Sequence, residues 1–218
     1  MDTPSRPVKN HQAIKEAMTT LHFIRHGQST WNAEIRIQGT SDPDLSELGI
    51  AQAKALVGKL PEFDRVFSSD LARTRQTTSN ILQGNIEQVD FRPSLREIHL
   101  GPWEGVLLKD ATEKYPHETS QFRHQPENFS LEGAETFHEL QLRARNAISE
   151  ILDECAGVTE NVLVVSHGAF IKSLLIDYAG WPLNDIWKNP QMDNCGHSIV
   201  TYTNRVPKLT KFADALEW

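Results

Sequence analysis

The stretch Asn161-Val162-Leu163-Val164-Val165-Ser166-His167-Gly168-Ala169-Phe170 decides how the chain is read. Its first six residues are apolar on both faces, the pattern of a strand covered from two sides in a parallel sheet. The run breaks off in polar residues, and a helical pattern from Ala169 to Tyr178 follows at once and closes at Gly180. A buried strand that delivers a polar cluster to the mouth of a helix is the repeating unit of an α/β fold. In open sheets of that kind the ligand crevice lies outside the carboxyl ends of the strands.

Working outward, Leu21-His22-Phe23-Ile24-Arg25-His26-Gly27 reads as a second apolar run stopped by a glycine. Gln38 to Asp44 is rich in Gly, Pro and Asp and reads as a loop. Ser46 then caps a helix predicted to reach about Leu60, with Leu48, Ala51, Ala55 and Leu56 on one face and Pro61 just past its end. Arg65 to Ser68 is another strand, followed by a helix capped by Ser69 or Asp70 and running to about Leu82, before Gly84. Ile86 to Phe91 is a third strand candidate, and His197 to Thr203 supplies one more. A long amphipathic helix is predicted from Ala134 to Cys155, with Phe137, Leu140, Ala144, Ile148, Ile151 and Leu152 at helical spacing. Between Glu97 and Gly133 periodicity is lost, and that stretch reads as a small cap over one end of the sheet. The expected architecture is a three-layer α/β/α sandwich around a mostly parallel central sheet. Residues 1–20 form an N-terminal arm, with a short helix around Gln12 to Ala17 as one option, and residues 21–218 form one domain.

The 218 residues carry a formal net charge of −7 with both signs interspersed, which repels nucleic acid and anionic lipid. An anionic ligand must therefore be held by a local cationic pocket. No stretch is apolar for long enough to span a bilayer, and the opening segment lacks a signal-peptide apolar core. The two cysteines, Cys155 and Cys195, read as reduced thiols, and a cytoplasmic location is expected. Among the nine histidines, His22, His99, His117, His124 and His138 form no metal-ligand spacing, so a metal is not expected, and no other cofactor is read from the sequence.

Two strand-terminal His-Gly pairs, His26-Gly27 and His167-Gly168, are hard to explain by packing. An imidazole attacks phosphorus only through an unprotonated nitrogen. Arg25 beside His26 disfavours the imidazolium, and its planar fork matches phosphate oxygens. Arg73, one turn into its helix, is placed to point back at the strand mouth, although taken alone it reads as a surface arginine. Glu97 alone likewise reads as a solvated carboxylate.

Taken together the blocks Arg25-His26-Gly27, Asn32, Gln38-Gly39, Ser68 to Thr77 with Arg73 inside it, Leu95-Arg96-Glu97, Gly101-Pro102-Trp103-Glu104-Gly105 and Ser166-His167-Gly168 resemble the histidine phosphatase superfamily, the phosphoglycerate mutase-like group. The resemblance covers about Leu21 to Thr203. It implies that His26 is phosphorylated, and that Arg25, Arg73 and His167 surround the transferring phosphoryl group. It also implies that Glu97 donates and accepts the proton, and that Asn32, Gln38 and the amides near Gly39 and Gly168 contribute to substrate binding. His167 would serve best when protonated, the opposite of what His26 needs. The implied activity is metal-independent hydrolysis of a small phosphorylated metabolite, with the cofactor-dependent phosphoglycerate mutase reaction as the alternative.

Two departures are visible: Gln28 stands where many members carry an acidic residue, and Gly133-Ala134-Glu135-Thr136 varies the usual opening of the long helix. Only 70 positions separate Glu97 from His167, and that interval offers Arg123 beside His124 in place of the adjacent arginines of the mutases, which favours hydrolysis. A catalytically silent phosphate-binding module would have lost one of His26, Arg73, Glu97 or His167, and all are present. Specificity is expected between Gly101 and Gly133, with Trp103, Phe122, His124 and Phe129 as candidates for lining the pocket or for packing. Homo-oligomer formation is left open.

Overall fold

The computed structural model describes residues 18–155 and 160–214. The strands are β1 (Met18–Arg25), β2 (Arg65–Ser69), β3 (Val89–Arg92), β4 (Glu160–Ser166), β5 (His197–Thr203) and β6 (Val206–Lys211). The helices are α1 (Thr30–Ala33), α2 (Glu47–Lys54), α3 (Ala72–Ile81), α4 (Leu108–Lys114), α5 (Pro116–His124), α6 (Phe137–Glu154) and α7 (Gly168–Tyr178), with short 3₁₀ turns between them. β1 begins at Met18, inside the stretch read as an arm, and the suggested helix at 12–17 lies outside the described residues.

The sheet order is β3-β2-β4-β1-β5-β6. The first four strands are parallel, and β5 and β6 add an antiparallel hairpin at one edge. β4 sits between β2 and β1 and is covered on both faces, as its unbroken apolar run requires. Because alternate side chains point oppositely, Val162 and Val164 join the core under α6 and α7, whereas Leu163 and Val165 pack with Ile24, Ile81 and the residues after α2 on the other side. Three layers result. At the hairpin edge His22 and His197 are buried and bonded to each other, Nδ1 to Nε2, at 2.9 Å.

α6 starts with a capping box: the Thr136 hydroxyl accepts from the Glu139 amide, and the Glu139 carboxylate accepts from the Thr136 amide. Such a cap stabilises a helix start by about 1 kcal/mol. The cap region is built from short helices joined by aromatic packing. Trp103, Phe122, Phe129, Phe137 and Trp187 touch ring to ring, which makes the cap continuous with the main core.

Two expectations need correction. α2 does not bury Leu48, Ala51 or Ala55, which are exposed; it turns Gly49 and Ala53 inward, because its inner neighbour is the backbone at Gln28. A residue with a side chain at 49 would meet the Gln28 carbonyl at 2.0 Å. α3 is capped neither by Ser69 nor by Asp70; its N-cap is Leu71, and the Asp42 carboxylate accepts from the Ala72 amide.

Candidate active site

The three adjacent parallel strands β2, β4 and β1 end at Ser69, Ser166 and Arg25, so their polar extensions meet at one edge of the sheet. His26 is 2 % exposed there. Its Nδ1 lies 2.7 Å from the Gly27 carbonyl, which can only accept, so the proton sits on Nδ1 and Nε2 carries the lone pair. The Arg73 Nε–H points at that lone pair from 3.3 Å. Burial first, then the charges of Arg73 and Arg25, push the His26 pKa well below its ordinary value, so the ring is neutral at neutral pH. Gly27 is required by close approach: a Cβ there would sit 2.4 Å from the Gly49 carbonyl oxygen.

α3 brings Arg73 under His26. The guanidinium is fully buried, and it donates from Nη1 to the Ser41 carbonyl at 2.6 Å and from Nη2 to the Gly39 carbonyl at 2.8 Å. One turn later the Thr77 hydroxyl accepts from the Gly27 amide at 3.0 Å, so a single helix places both Arg73 and the His26 loop. The 39–41 loop is in turn held by Glu104, whose carboxylate accepts from the Thr40 amide, the Ser41 hydroxyl and the Leu100 amide at 2.8–2.9 Å. Those donors outweigh burial and lower the Glu104 pKa.

Arg25 donates from Nη1 to the Met192 carbonyl, while its Nε is buried without a partner. Gly168 passes across it, and a Cβ at 168 would lie 3.3 Å from that Nε. His167 is fully buried, 5.2 Å from His26 ring to ring; its Nε2 pairs with the Ser69 hydroxyl at 2.8 Å, and its Nδ1 has no partner. Burial and the neighbouring Arg73 lower its pKa well below the ordinary value, so His167 is neutral like His26. Buried polar atoms are nearly always paired. Of the four buried side-chain atoms without a hydrogen-bond partner among the described residues, two belong to Arg25 and His167, next to His26.

The Glu97 carboxylate caps α7, accepting from the amides of Ile98 and Phe170 at 3.0 Å and of Ala169 at 3.1 Å. Arg143 on α6 braces this segment by donating to the carbonyls of Ser94, Arg96 and Glu97 while paired with Glu135. Asn32 and Gln38 both engage Ser29: the Asn32 oxygen accepts from the Ser29 amide at 3.1 Å, and the Gln38 oxygen accepts from the Ser29 hydroxyl at 2.7 Å.

A cavity of about 420 Å³ joins Arg25, His26, Asn32, Gln38, Gly39, Arg73, Glu97 and Gly168. His167 lies behind this wall. Of the aromatic candidates only Phe122 lines the cavity; Trp103 and Phe129 are core, and His124 with Arg123 lines a neighbouring cleft. Glu104, Arg143 and the carbonyl of Met192 are contributors that sequence reasoning assigned no role. Among the described residues no three His, Cys, Asp or Glu side chains are grouped to hold a metal ion. No helix among them is long and apolar enough to cross a membrane.

Residues 21–215 match the sequence profile described as Histidine phosphatase superfamily (branch 1). Phosphoserine phosphatase 1 of Hydrogenobacter thermophilus is 31% identical over 190 residues, covering 86% of this chain and 89% of that protein. An Arabidopsis thaliana relative named "Probable 2-carboxy-D-arabinitol-1-phosphatase" is 36% identical over 197 residues, which is 89% of this chain; the chain spans 40% of that relative's length. Among solved structures, Bacillus stearothermophilus YhfR is similar with a TM-score of 0.86 at 30% identity, covering 91% of this chain and 98% of that one.

Proposed function

The chain belongs to the histidine phosphatase superfamily, and from that premise we propose that it hydrolyses small phosphate monoesters through a phosphohistidine on His26. The relatives named as phosphatases of phosphoserine and of 2-carboxy-D-arabinitol 1-phosphate support hydrolysis as the outcome. The observation that carries the reading is the pair of buried nitrogens without a hydrogen-bond partner, Arg25 Nε and His167 Nδ1, beside a neutral imidazole. A phosphoryl group on His26 would give Arg25 Nε an acceptor, and His167 Nδ1 one as well when its proton is on that nitrogen.

In the first step His26 Nε2 attacks phosphorus, the N–P bond forms, the P–O bond to the alcohol breaks, and Glu97 gives the leaving oxygen its proton. In the second, water attacks phosphorus and yields its proton to Glu97. The N–P bond breaks, and inorganic phosphate leaves. Arg25 and Arg73 stabilise the charge spread over the equatorial oxygens, and His167 donates one hydrogen bond from Nδ1 when the Ser69 hydroxyl donates to Nε2. Asn32, Gln38, Gly39 and Gly168 line the phosphate end of the cavity. Arg123 lies outside that cavity, in the neighbouring cleft, so the cap contributes no arginine pair of the kind the mutase alternative needs. That His26, Arg73 and Glu97 line one cavity, with His167 5.2 Å from His26 ring to ring, also opposes a silent binding module.

The test is rapid quenching with an aryl phosphate. An acid-labile, base-stable phosphate is expected on His26, and His26→Ala should lose turnover. Label on another residue, or undiminished turnover in H26A, would refute the mechanism. Assay of 3-phosphoglycerate with and without 2,3-bisphosphoglycerate separates hydrolysis from the mutase reaction.

A further inference from the structure

Besides Arg25 and Arg73 the cavity wall carries one more cation, Lys172. It stands on α7, between Ile171 and Ser173 and one turn before Ile176, all fully buried, and is itself 2 % exposed. Its ammonium donates to the Lys188 carbonyl at 2.8 Å, and no carboxylate of the described residues pairs with it. Burial alone lowers its pKa to about 8. An ammonium has three N–H donors and is costly to bury without a counter-charge. Among the described residues it is given one neutral acceptor, and Lys172 lines the same cavity as Arg25, His26 and Arg73.

The geometry also couples the two ends. Residues 188–192 run along the cavity and hold Lys172 by the carbonyl of Lys188 and Arg25 by the carbonyl of Met192. Leu108, Phe122 and Trp187 make the wall beside Lys172 apolar. A singly charged acceptor matches one ammonium there, whereas a second phosphate would keep a charge uncompensated against apolar surface.

We propose that Lys172 is a specificity-determining residue that binds a carboxylate on the organic part of the ester, so that the preferred substrates are phosphorylated carboxylic acids. This rests on the phosphatase reading above for turnover, but not for binding.

The test compares 3-phosphoglycerate with glycerol 1-phosphate, which carries CH₂OH in place of the carboxylate. The ratio of their kcat/KM values is insensitive to the fraction of active protein. In the wild type the ratio should favour the acid by about tenfold or more. Lys172→Met should bring it near one, chiefly through KM for the acid, and Lys172→Arg should retain most of the preference. Lys172→Gln keeps a donor for the Lys188 carbonyl without the charge; it should behave like K172M if charge matters and like wild type if Lys172 only braces the loop. A wild-type ratio near one, or a ratio unmoved by K172M and K172Q, overturns the assignment. Calorimetric titration of H26A with the same two esters separates the readings. Selective binding of the acid without wild-type turnover upholds Lys172 and defeats hydrolysis; turnover without selectivity does the reverse.

Discussion

Replacing Glu97 by glutamine separates the proton-transfer role from the structural one. In the native site three amides donate to the carboxylate, two to Oε1 and one to Oε2. Glutamine keeps one oxygen. With that oxygen turned toward Ile98 and Phe170, its NH₂ opposes the Ala169 amide, and one donor at the start of α7 is orphaned. That costs about 1–3 kcal/mol of stability, which leaves a typical domain folded at 25 °C. The chemical loss is larger and selective: a missing proton donor costs about 10²–10⁴ in rate, or roughly 2.7–5.5 kcal/mol of barrier.

The selectivity appears in kcat/KM, which reports events up to formation of the phosphohistidine. E97Q should lose the full factor on glycerol 1-phosphate, whose alkoxide cannot leave unprotonated, and less than about tenfold on p-nitrophenyl phosphate, whose phenolate can. Because water then lacks its base, stopped-flow traces with the aryl ester should show a burst approaching one equivalent of nitrophenol, followed by slow turnover. Equal losses of kcat/KM for the two esters, without a burst, would remove Glu97 from the proton path. A urea titration checks that stability falls only by the amount worked out above.

The remaining expectations concern packing and titration. Gly27→Ala drives a Cβ to 2.4 Å from the Gly49 carbonyl oxygen and to 3.0 Å from Gly49 Cα, all backbone with no side chain to move aside. It should cost about 1–3 kcal/mol in urea denaturation and about 100-fold in kcat, because the Gly27 carbonyl orients His26; wild-type values in both would show that the contact is slack. Stability should also fall in acid: burial lowers the pKa of His22 and takes that of His197 to about 4, so the unfolded chain binds protons before the native one does. Stability is then complete above pH ~6.5 and declines as pH falls toward 4, by up to about 1.4 kcal/mol per pH unit for each histidine involved; a urea midpoint that is flat between pH 7 and 5 would contradict this.

The parallel half of the fold was legible because its strands are covered on both sides, and unbroken runs such as Val162 to Val165 have no other use in a chain of this composition. β6 escaped notice. Its turn uses Asn204 and Arg205 at φ of 51° and 67°, with no glycine to mark it, and Pro207 and Lys208 dilute the strand pattern. The α2 face was misread because its packing partner is main chain, which selects small residues where periodicity seeks large ones. At the site, the side chains proposed to meet phosphate stand in motifs, while those that hold them left fainter traces. Glu104 lies within the Gly101 to Gly105 block, where nothing in the sequence gives it a role. Arg143 is one of two arginines on an amphipathic helix, and nothing in the sequence marks it out. Lys172 had a readable signal, the lone cation of a mostly apolar helix, but its meaning depends on knowing which wall that helix face forms.

Main-chain oxygens, not side chains, suspend Arg25 and Lys172 from the 188–192 segment. Such a tether is indifferent to which residues compose it, so exchanges at Asn189 or Gln191 leave both anchor points in place. It is sensitive to length: one residue inserted or deleted changes the reach between the two oxygens by up to about 3.3–3.6 Å. A change of that length would shift the two carbonyls against Arg25, at the end of β1, and Lys172, on α7, and with them the room left between the two cations.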